Sequence, residues 1–227
     1  MRQLGKIQCL EVLNDEDAPW IILFHGYGAD ASDLFSLHEY IQTQKEFNWL
    51  FPQGILEVPI GMGWTGRAWW NINMQAIEEA ASRGETRDMS QEKPAGLEKA
   101  ENLALEMIRQ LKVPWEKIIL GGFSQGAMLA TQLYLKAPTH PAGLVILSGT
   151  LLNQEEWKGA VTQRQGQPFF MSHGTQDSIL GIKQAQQLES LLTMGGLKGS
   201  LLSFRGGHEI PVPVLRGVSQ YLDKLSL

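Results

Sequence analysis

The sequence has little of what disulfide-linked, nucleic-acid-binding or membrane-spanning proteins depend on. It contains one cysteine, Cys9, so no internal disulfide can form. Because Cys9 lies in an apolar run with Ile7 and Leu10, we interpret it as a buried structural thiol. The 19 basic residues are outnumbered by 24 acidic ones, and no cluster of Lys and Arg could hold a nucleic-acid backbone. We therefore expect no nucleic-acid partner.

Long apolar runs and metal-ligand patterns are also missing. No run approaches the length of a membrane span, and residues 1–6 lack the apolar region of a signal peptide. The sequence thus predicts a cytoplasmic protein without integral membrane association. The five histidines are scattered, and no Gly-rich phosphate-binding motif follows a strand in the required place. We therefore expect no metal and no other cofactor.

What the chain does contain is an alternation of apolar strands and amphipathic helices. Its 227 residues and 43 % hydrophobic content suffice to bury a core, and we expect a single domain over 1–227. Strands are predicted over 6–13 (an edge strand), 20–24, 47–51, 117–123, 143–147, 168–172 and 200–204. Helices are predicted over 32–44, 75–83, 94–111, 125–136, 182–192 and 211–224, with a short one near Glu155. The alternation predicts an α/β protein whose mostly parallel central sheet has helices on both faces.

The most informative stretch is Gly122-Phe-Ser-Gln-Gly126, which fits the pattern G-x-S-x-G. In that pattern a tight turn from strand to helix strains the serine and lifts its hydroxyl clear of the sheet. The N–H of Gln125 would then lie at a helix N-terminus, where partial positive charge favours an anion. The same pattern also occurs in ordinary Gly-rich turns. The predicted strand before Ser124 and helix after it favour a nucleophilic serine.

A nucleophilic serine needs a histidine as base, and the histidine needs a carboxylate that orients it. Asp177 follows the predicted strand 168–172, and His208 follows the predicted strand 200–204. Ser124, Asp177 and His208 therefore stand in the chain order of hydrolases with this topology. Since the carboxyl ends of parallel strands lie at one edge of a sheet, we expect the three side chains to converge.

The other candidates for the base are His25, His38, His140 and His173, and those for the acid are Asp223 and Glu209. The first two histidines precede the serine, the third lies in a proline-flanked turn, and we expect the fourth to shape the loop of Asp177. Asp223 lies in the terminal helix, and Glu209 adjoins the predicted base.

Two further segments are expected to border the serine. The strand 20–24 runs directly into His25-Gly-Tyr-Gly-Ala-Asp30, whose glycines allow close approach of the backbone to a ligand. The N–H of Tyr27 would then face the same crevice as Ser124, although an ordinary strand-to-helix turn is the alternative.

The irregular connection over 53–89 is interpreted as a cap over that crevice, because so long a connection is usually functional or disordered and this one is rich in aromatic residues. Trp64, Trp69 and Trp70 would give the cap apolar walls and favour an acyl group of medium length. The alternative for Trp69 and Trp70 is that they anchor the connection to the core.

The chain resembles the phospholipase/carboxylesterase family of α/β-hydrolases, which includes the acyl-protein thioesterases. The resemblance rests on Phe24-His-Gly-Tyr-Gly, Phe51-Pro-Gln-Gly, Arg67-Ala-Trp-Trp, Ile119-Leu-Gly-Gly-Phe-Ser-Gln-Gly-Ala, Leu147-Ser-Gly, His173-Gly-Thr-Gln-Asp and Gly207-His-Glu. It implies the α/β-hydrolase fold, with Ser124 as nucleophile, Asp177 as acid and His208 as base. It also implies an oxyanion hole formed by the backbone N–H groups of Tyr27 and Gln125.

The chain departs from many relatives at Tyr27, where they carry Leu, and at Trp69-Trp-Asn71, where they carry Trp-Phe-Asp. The acyl-chain preference is therefore not carried over. The sequence predicts a monomeric or homodimeric serine hydrolase that cleaves ester or thioester bonds of a small-molecule or acylated substrate through an acyl-enzyme. The alternatives are acyl transfer or peptide cleavage by the same residues, and a non-catalytic ligand receptor, against which the complete set of Ser, Asp and His argues.

Overall fold

The apolar runs of the sequence form the strands of one eight-stranded sheet in the computed structural model, which describes all 227 residues. Its strands are β1 (Arg2–Leu4), β2 (Ile7–Val12), β3 (Trp20–Phe24), β4 (Asn48–Pro52), β7 (Ile118–Phe123), β8 (Gly143–Leu147), β9 (Phe169–Gly174) and β10 (Leu201–Phe204). A separate hairpin consists of β5 (Leu56–Pro59) and β6 (Thr65–Ala68).

The sheet has the order β1-β2-β4-β3-β7-β8-β9-β10. The strands from β4 to β10 in this order are parallel, whereas β1 and β2 run antiparallel at one edge. In the register, Phe24 is opposite Gly122, and Gly122 is opposite Ile146. The carboxyl ends of β3, β7 and β8 therefore lie side by side, as a ligand crevice at this edge requires.

Helices cover both faces of the sheet. They are α1 (Leu37–Tyr40), α2 (Met74–Ser82), α3 (Leu97–Leu111), α4 (Gln125–Lys136), α5 (Gln154–Val161), α6 (Ile182–Met194) and α7 (Val212–Lys224). Residues of α3, α4, α5 and α6 pack on one face, and residues of α7 pack on the other together with Leu34 and Ile41. Successive residues of β3 belong to opposite faces, Ile21 and Ile22 for example. The α/β-hydrolase architecture is confirmed. None of the helices combines the length and apolar character that crossing a membrane would need.

The first predicted helix is much shorter than expected. The sequence predicted a helix over 32–44, but only α1 forms, and turns precede it. The carboxylate of Asp30 accepts hydrogen bonds from the N–H and the hydroxyl of Ser32, and Phe35 N–H then bonds to Ser32 C=O. Such local bonds compete with the i→i−4 pattern of a helix, so the segment begins as turns.

The connection 53–89 is more regular than the sequence indicated, since it contains the β5–β6 hairpin as well as α2. The hairpin lies against the loop after β3: Gly28 N–H donates to Arg67 C=O at 2.8 Å, and Arg67 N–H donates to Ala29 C=O at 2.7 Å. Both bonds join backbone groups, so the hairpin holds the loop that contains Tyr27.

The first turn of α4 lies directly on the end of β3. A Cβ atom added at Gly126 would be 1.9 Å from the carbonyl oxygen of Phe24, and a methyl group cannot be accommodated at that distance. Gly159 lies in α5, where an added Cβ would meet nothing within 4 Å.

We expect Gly126→Ala to lower the free energy of unfolding by about 3 kcal/mol or more, because the helix must move off the sheet. Gly159→Ala is the matched control and should raise stability by about 0.5–1 kcal/mol, since alanine favours the helix. Urea unfolding followed by circular dichroism measures both. Equal stability of Gly126→Ala and the wild type would contradict this packing of α4 on β3.

Candidate active site

Ser124 occupies a strained turn between β7 and α4. Its φ of 55° and ψ of −119° lie outside the regions that ordinary residues prefer, and such strain typically costs about 1–3 kcal/mol. The turn is held because Ser124 N–H donates to Leu147 C=O at 2.9 Å, while Ser124 C=O accepts from Ala127 N–H and Met128 N–H. Ser124 is partly exposed, in the geometry that the G-x-S-x-G pattern predicts.

Asp177 and His208 form a direct pair. His208 Nδ1 is 2.6 Å from Asp177 Oδ2, and the carboxylate is 0 % exposed, whereas the imidazole is 18 % exposed. The other oxygen, Oδ1, accepts from Ile179 N–H and Leu180 N–H at 2.9 Å each. Burial alone would raise the pKa of Asp177, but the hydrogen bonds from His208 and the two amides outweigh it and hold that pKa below its usual value. The carboxylate therefore stays ionised and fixes the proton of His208 on Nδ1, which leaves Nε2 free to act as a base.

Backbone contacts lock the two loops that carry this pair. Thr175 N–H donates to Phe204 C=O at 2.8 Å, and Gln176 N–H donates to Gly206 C=O at 2.9 Å. A Cβ added at Gly174 would lie 2.2 Å from the carbonyl oxygen of Gly207, so the loops approach more closely than a side chain would allow. The separation of Asp177 and His208 is thus set by the backbone.

His208 contacts the residue that directly precedes Ser124. The ring of His208 packs on that of Phe123, with the ring centroids 4.7 Å apart, and Phe123 directly precedes Ser124. Ser124 Oγ donates to no group within the protein. Catalytic hydrogen bonds are often long in the free enzyme and shorten when substrate binds. The structure thus pairs Asp177 with His208 and places the imidazole beside the turn of Ser124.

Two backbone N–H groups beside Ser124 have no partner in the protein. A Cβ added at Gly26 would lie 3.4 Å from the Cβ of Ser124, so the loop after β3 borders the serine. The next N–H, that of Tyr27, makes no hydrogen bond within the protein. Gln125 is the first residue of α4, and its N–H has no acceptor inside the helix. This arrangement suits a developing negative charge.

Two buried histidines support the site without belonging to the pair. His25 Nδ1–H donates to Gly26 C=O at 2.7 Å, and its Nε2 accepts from Gly54 N–H at 2.9 Å. His173 Nε2–H donates to Leu180 C=O at 2.8 Å, in the loop of Asp177. Burial lowers the pKa of both imidazoles, so both are neutral. The interpretation that His173 shapes this loop fits the contact, whereas nothing in the sequence indicated the role of His25.

The three tryptophans of the connection 53–89 have different surroundings. Trp69 is 0 % exposed, its ring meets that of Phe24 edge-on at 5.2 Å, and its Nε1–H donates to His25 C=O. Trp69 therefore anchors the connection to the core, which is the second of the two interpretations made from the sequence. Trp64 is 72 % exposed on the hairpin. Trp70 lines a cavity.

That cavity has a volume of about 370 Å³ and lies between the end of the connection and α4. Its apolar lining consists of Trp70, Ile72, Met89, Pro94, Ala95, Met128 and Leu152. Met128 is one helical turn beyond Ser124, and its N–H bonds to Ser124 C=O. Neither this cavity nor a groove of about 650 Å³ between α5 and α6 is lined by Ser124, Asp177 or His208. No group of His, Cys, Asp and Glu side chains is arranged to hold a metal ion.

The chain belongs to the family described as Phospholipase/Carboxylesterase, whose pattern it matches over residues 7–226. This membership supports a serine hydrolase that acts on ester or thioester bonds. The chain is 31 % identical to acyl-protein thioesterase 1 of Kluyveromyces lactis over 213 residues, which are 90 % of each chain. It is 25 % identical to acyl-protein thioesterase 1 homolog 1 of Dictyostelium discoideum over 213 residues, 90 % of this chain and 89 % of that protein.

Solved structures have the same fold. The crystal structure of esterase PE8 superposes with a TM-score of 0.80 at 22 % identity, over 97 % of this chain and 99 % of that one. The phospholipase/carboxylesterase from Dyadobacter fermentans has a TM-score of 0.72 at 19 % identity, over 98 % of this chain and 99 % of that one. At these identities the likeness establishes the α/β-hydrolase fold.

The two neutral histidines make stability depend on pH. Their pKa is lowered in the folded protein, whereas histidines of the unfolded chain take up protons below about pH 6.5. The unfolded state then binds more protons, so the free energy of unfolding should fall by up to about 1.4 kcal/mol per pH unit for each histidine as the pH drops from about 7 to about 5. Urea unfolding across this range measures the slope.

His25→Asn should reduce this slope, because one of the two buried imidazoles is removed. The matched control is His140→Asn, at an exposed position, which should keep the full slope. An unchanged slope in His25→Asn would show that this histidine is not held neutral.

Proposed function

We propose that this protein hydrolyses carboxylic esters or thioesters through an acyl-enzyme formed on Ser124. His208 Nε2 takes the hydroxyl proton as Ser124 Oγ attacks the acyl carbonyl carbon. The backbone N–H groups of Tyr27 and Gln125 stabilise the oxyanion of the tetrahedral intermediate. His208 then gives its proton to the leaving alcohol or thiol. Water, activated by the same Nε2, attacks the acyl-enzyme, and the acid is released with Ser124 restored.

The observation that carries this proposal is the hydrogen-bonded pair of Asp177 and His208 beside a serine in a strained turn. The 2.6 Å contact between Nδ1 and Oδ2 stabilises the imidazolium that forms when Ser124 loses its proton. The second requirement is stabilisation of the oxyanion, which the unpaired N–H groups of Tyr27 and Gln125 can provide. One such donor is typically worth about 10²–10³ in rate. A receptor without catalysis would need neither the strained serine nor the paired base.

For the substrate, we propose an apolar acyl group of medium length that occupies the cavity below Trp70. Its volume of about 370 Å³ lies within the usual range of small-molecule sites. Seven of its twelve lining residues are apolar, the others being Asn71, Asn73, Arg87, Glu92 and Lys93. The cavity begins one turn of α4 from the serine. The similarity to proteins named acyl-protein thioesterases supports an acylated substrate.

The nucleophile can be tested with a fluorophosphonate probe and intact-protein mass spectrometry. The wild type should gain one adduct mass, and Ser124→Ala should gain none and lose ester hydrolysis by a factor on the order of 10⁴ or more. Ser148→Ala is the matched control, because Ser148 also has a positive φ, of 50°, but is buried. It should be labelled like the wild type. Labelling of Ser124→Ala would refute the assignment.

The acyl pocket can be tested with p-nitrophenyl esters of increasing chain length. We expect kcat/KM to rise by about tenfold or more from acetate to a medium-length chain, since each methylene buried in an apolar pocket adds selectivity. Met128→Phe narrows the cavity and should reduce this preference. Met194→Phe, at a position that is 88 % exposed, is the control and should not. A series with no preference beyond acetate would contradict the proposed substrate.

A further inference from the structure

The side chain of Gln125 connects the turn of Ser124 to the end of the connection 53–89. This side chain is fully buried. Its Oε1 accepts from Trp69 N–H at 3.0 Å, and its Nε2–H donates to Trp70 C=O at 2.8 Å. One amide group thus satisfies two consecutive backbone positions of the connection. The proposed mechanism uses only the backbone N–H of Gln125, so these contacts have a separate role.

The residues held by this amide form one wall of the acyl cavity. Trp70 lines the cavity and packs against the start of α3, where a Cβ added at Gly96 would lie 3.2 Å from the Cβ of Trp70. Met128 lines the cavity from α4. Because residues three positions apart share a helix face, Gln125 and Met128 approach the tryptophan segment from the same side. The position of Trp70 relative to Ser124 therefore depends on the Gln125 amide.

We infer that the Gln125 side chain determines acyl-chain selectivity by holding Trp70 at a fixed distance from Ser124. The inference rests on the proposed function and names a positioning residue for it. Without the amide, the N–H of Trp69 and the C=O of Trp70 lose their partners in a buried place. Buried backbone groups are nearly always paired, so the segment moves until water reaches these groups. The wall moves with it, and contact with a longer chain is lost.

The same helix supplies a matched control. Gln132 is also a buried glutamine of α4. Its Nε2–H groups donate to Glu101 and Glu156, and its Oε1 accepts from Trp157 Nε1–H. Its partners belong to α3 and α5. Gln125→Met and Gln132→Met therefore remove the same chemical group from the same helix, but only the first releases the tryptophan segment.

Two readouts test the inference. In Gln125→Met, the ratio of kcat/KM for p-nitrophenyl octanoate to that for p-nitrophenyl acetate should fall by about tenfold, as expected when contacts to methylenes are lost. Hydrogen exchange of the Trp69 amide should rise by about tenfold or more, because its acceptor is gone. Gln132→Met should keep both values within about twofold of the wild type, whatever its loss of stability. Gln125→Asn, whose amide is one methylene too short to reach, serves if Gln125→Met does not fold.

The outcomes separate this inference from the proposed function. If wild-type protein hydrolyses neither ester, the proposed function fails, while amide exchange still reports whether Gln125 holds Trp69. If the wild type hydrolyses both esters and Gln125→Met keeps the wild-type ratio, the inference on selectivity is overturned even if exchange rises. If both variants change the ratio equally, the effect is general loss of packing, and the inference is also overturned.

Discussion

The site depends on the close contact between Gly126 and the carbonyl of Phe24. This contact lets α4 begin directly on β3, and Ser124 alone connects β7 to α4. The same approach places the loop after β3 next to the serine, because Phe24 leads straight into that loop. A strained serine and its neighbouring N–H groups thus result from one contact that only glycine permits.

The sheet and most helices could be predicted because their residues carry a local pattern. Central strands such as β3 and β7 are covered on both faces and appear as unbroken apolar runs, and α4 has the predicted bounds. The hairpin of β5 and β6 could not be predicted, because it is held by backbone bonds to Gly28 and Ala29, which leave no mark on side-chain composition. The first helix was predicted too long for a similar reason. The side chain of Asp30 bonds locally to Ser32, and these bonds replace those of a helix.

For the site, chain order was sufficient to select Asp177 and His208, because the topology of parallel strands brings their loops to one edge. Burial could not be predicted in the same way. Trp64, Trp69 and Trp70 look alike in the sequence, yet Trp69 is in the core, Trp70 lines a cavity and Trp64 is exposed. The difference arises from partners distant in the chain, Phe24 and Gly96 among them. His25 is a further case, since its two partners are backbone groups.

The two N–H groups that border Ser124 belong to the main chain, and this affects how the protein tolerates mutation. Every amino acid except proline supplies an N–H, so replacing the side chain at position 27 leaves this donor in place. An exchange of Tyr27 for Leu, for example, would keep the donor. An alanine scan would therefore pass over these groups, and only a proline substitution or a backbone ester would reveal them. The proposed oxyanion-binding groups are thereby protected from most single-codon changes.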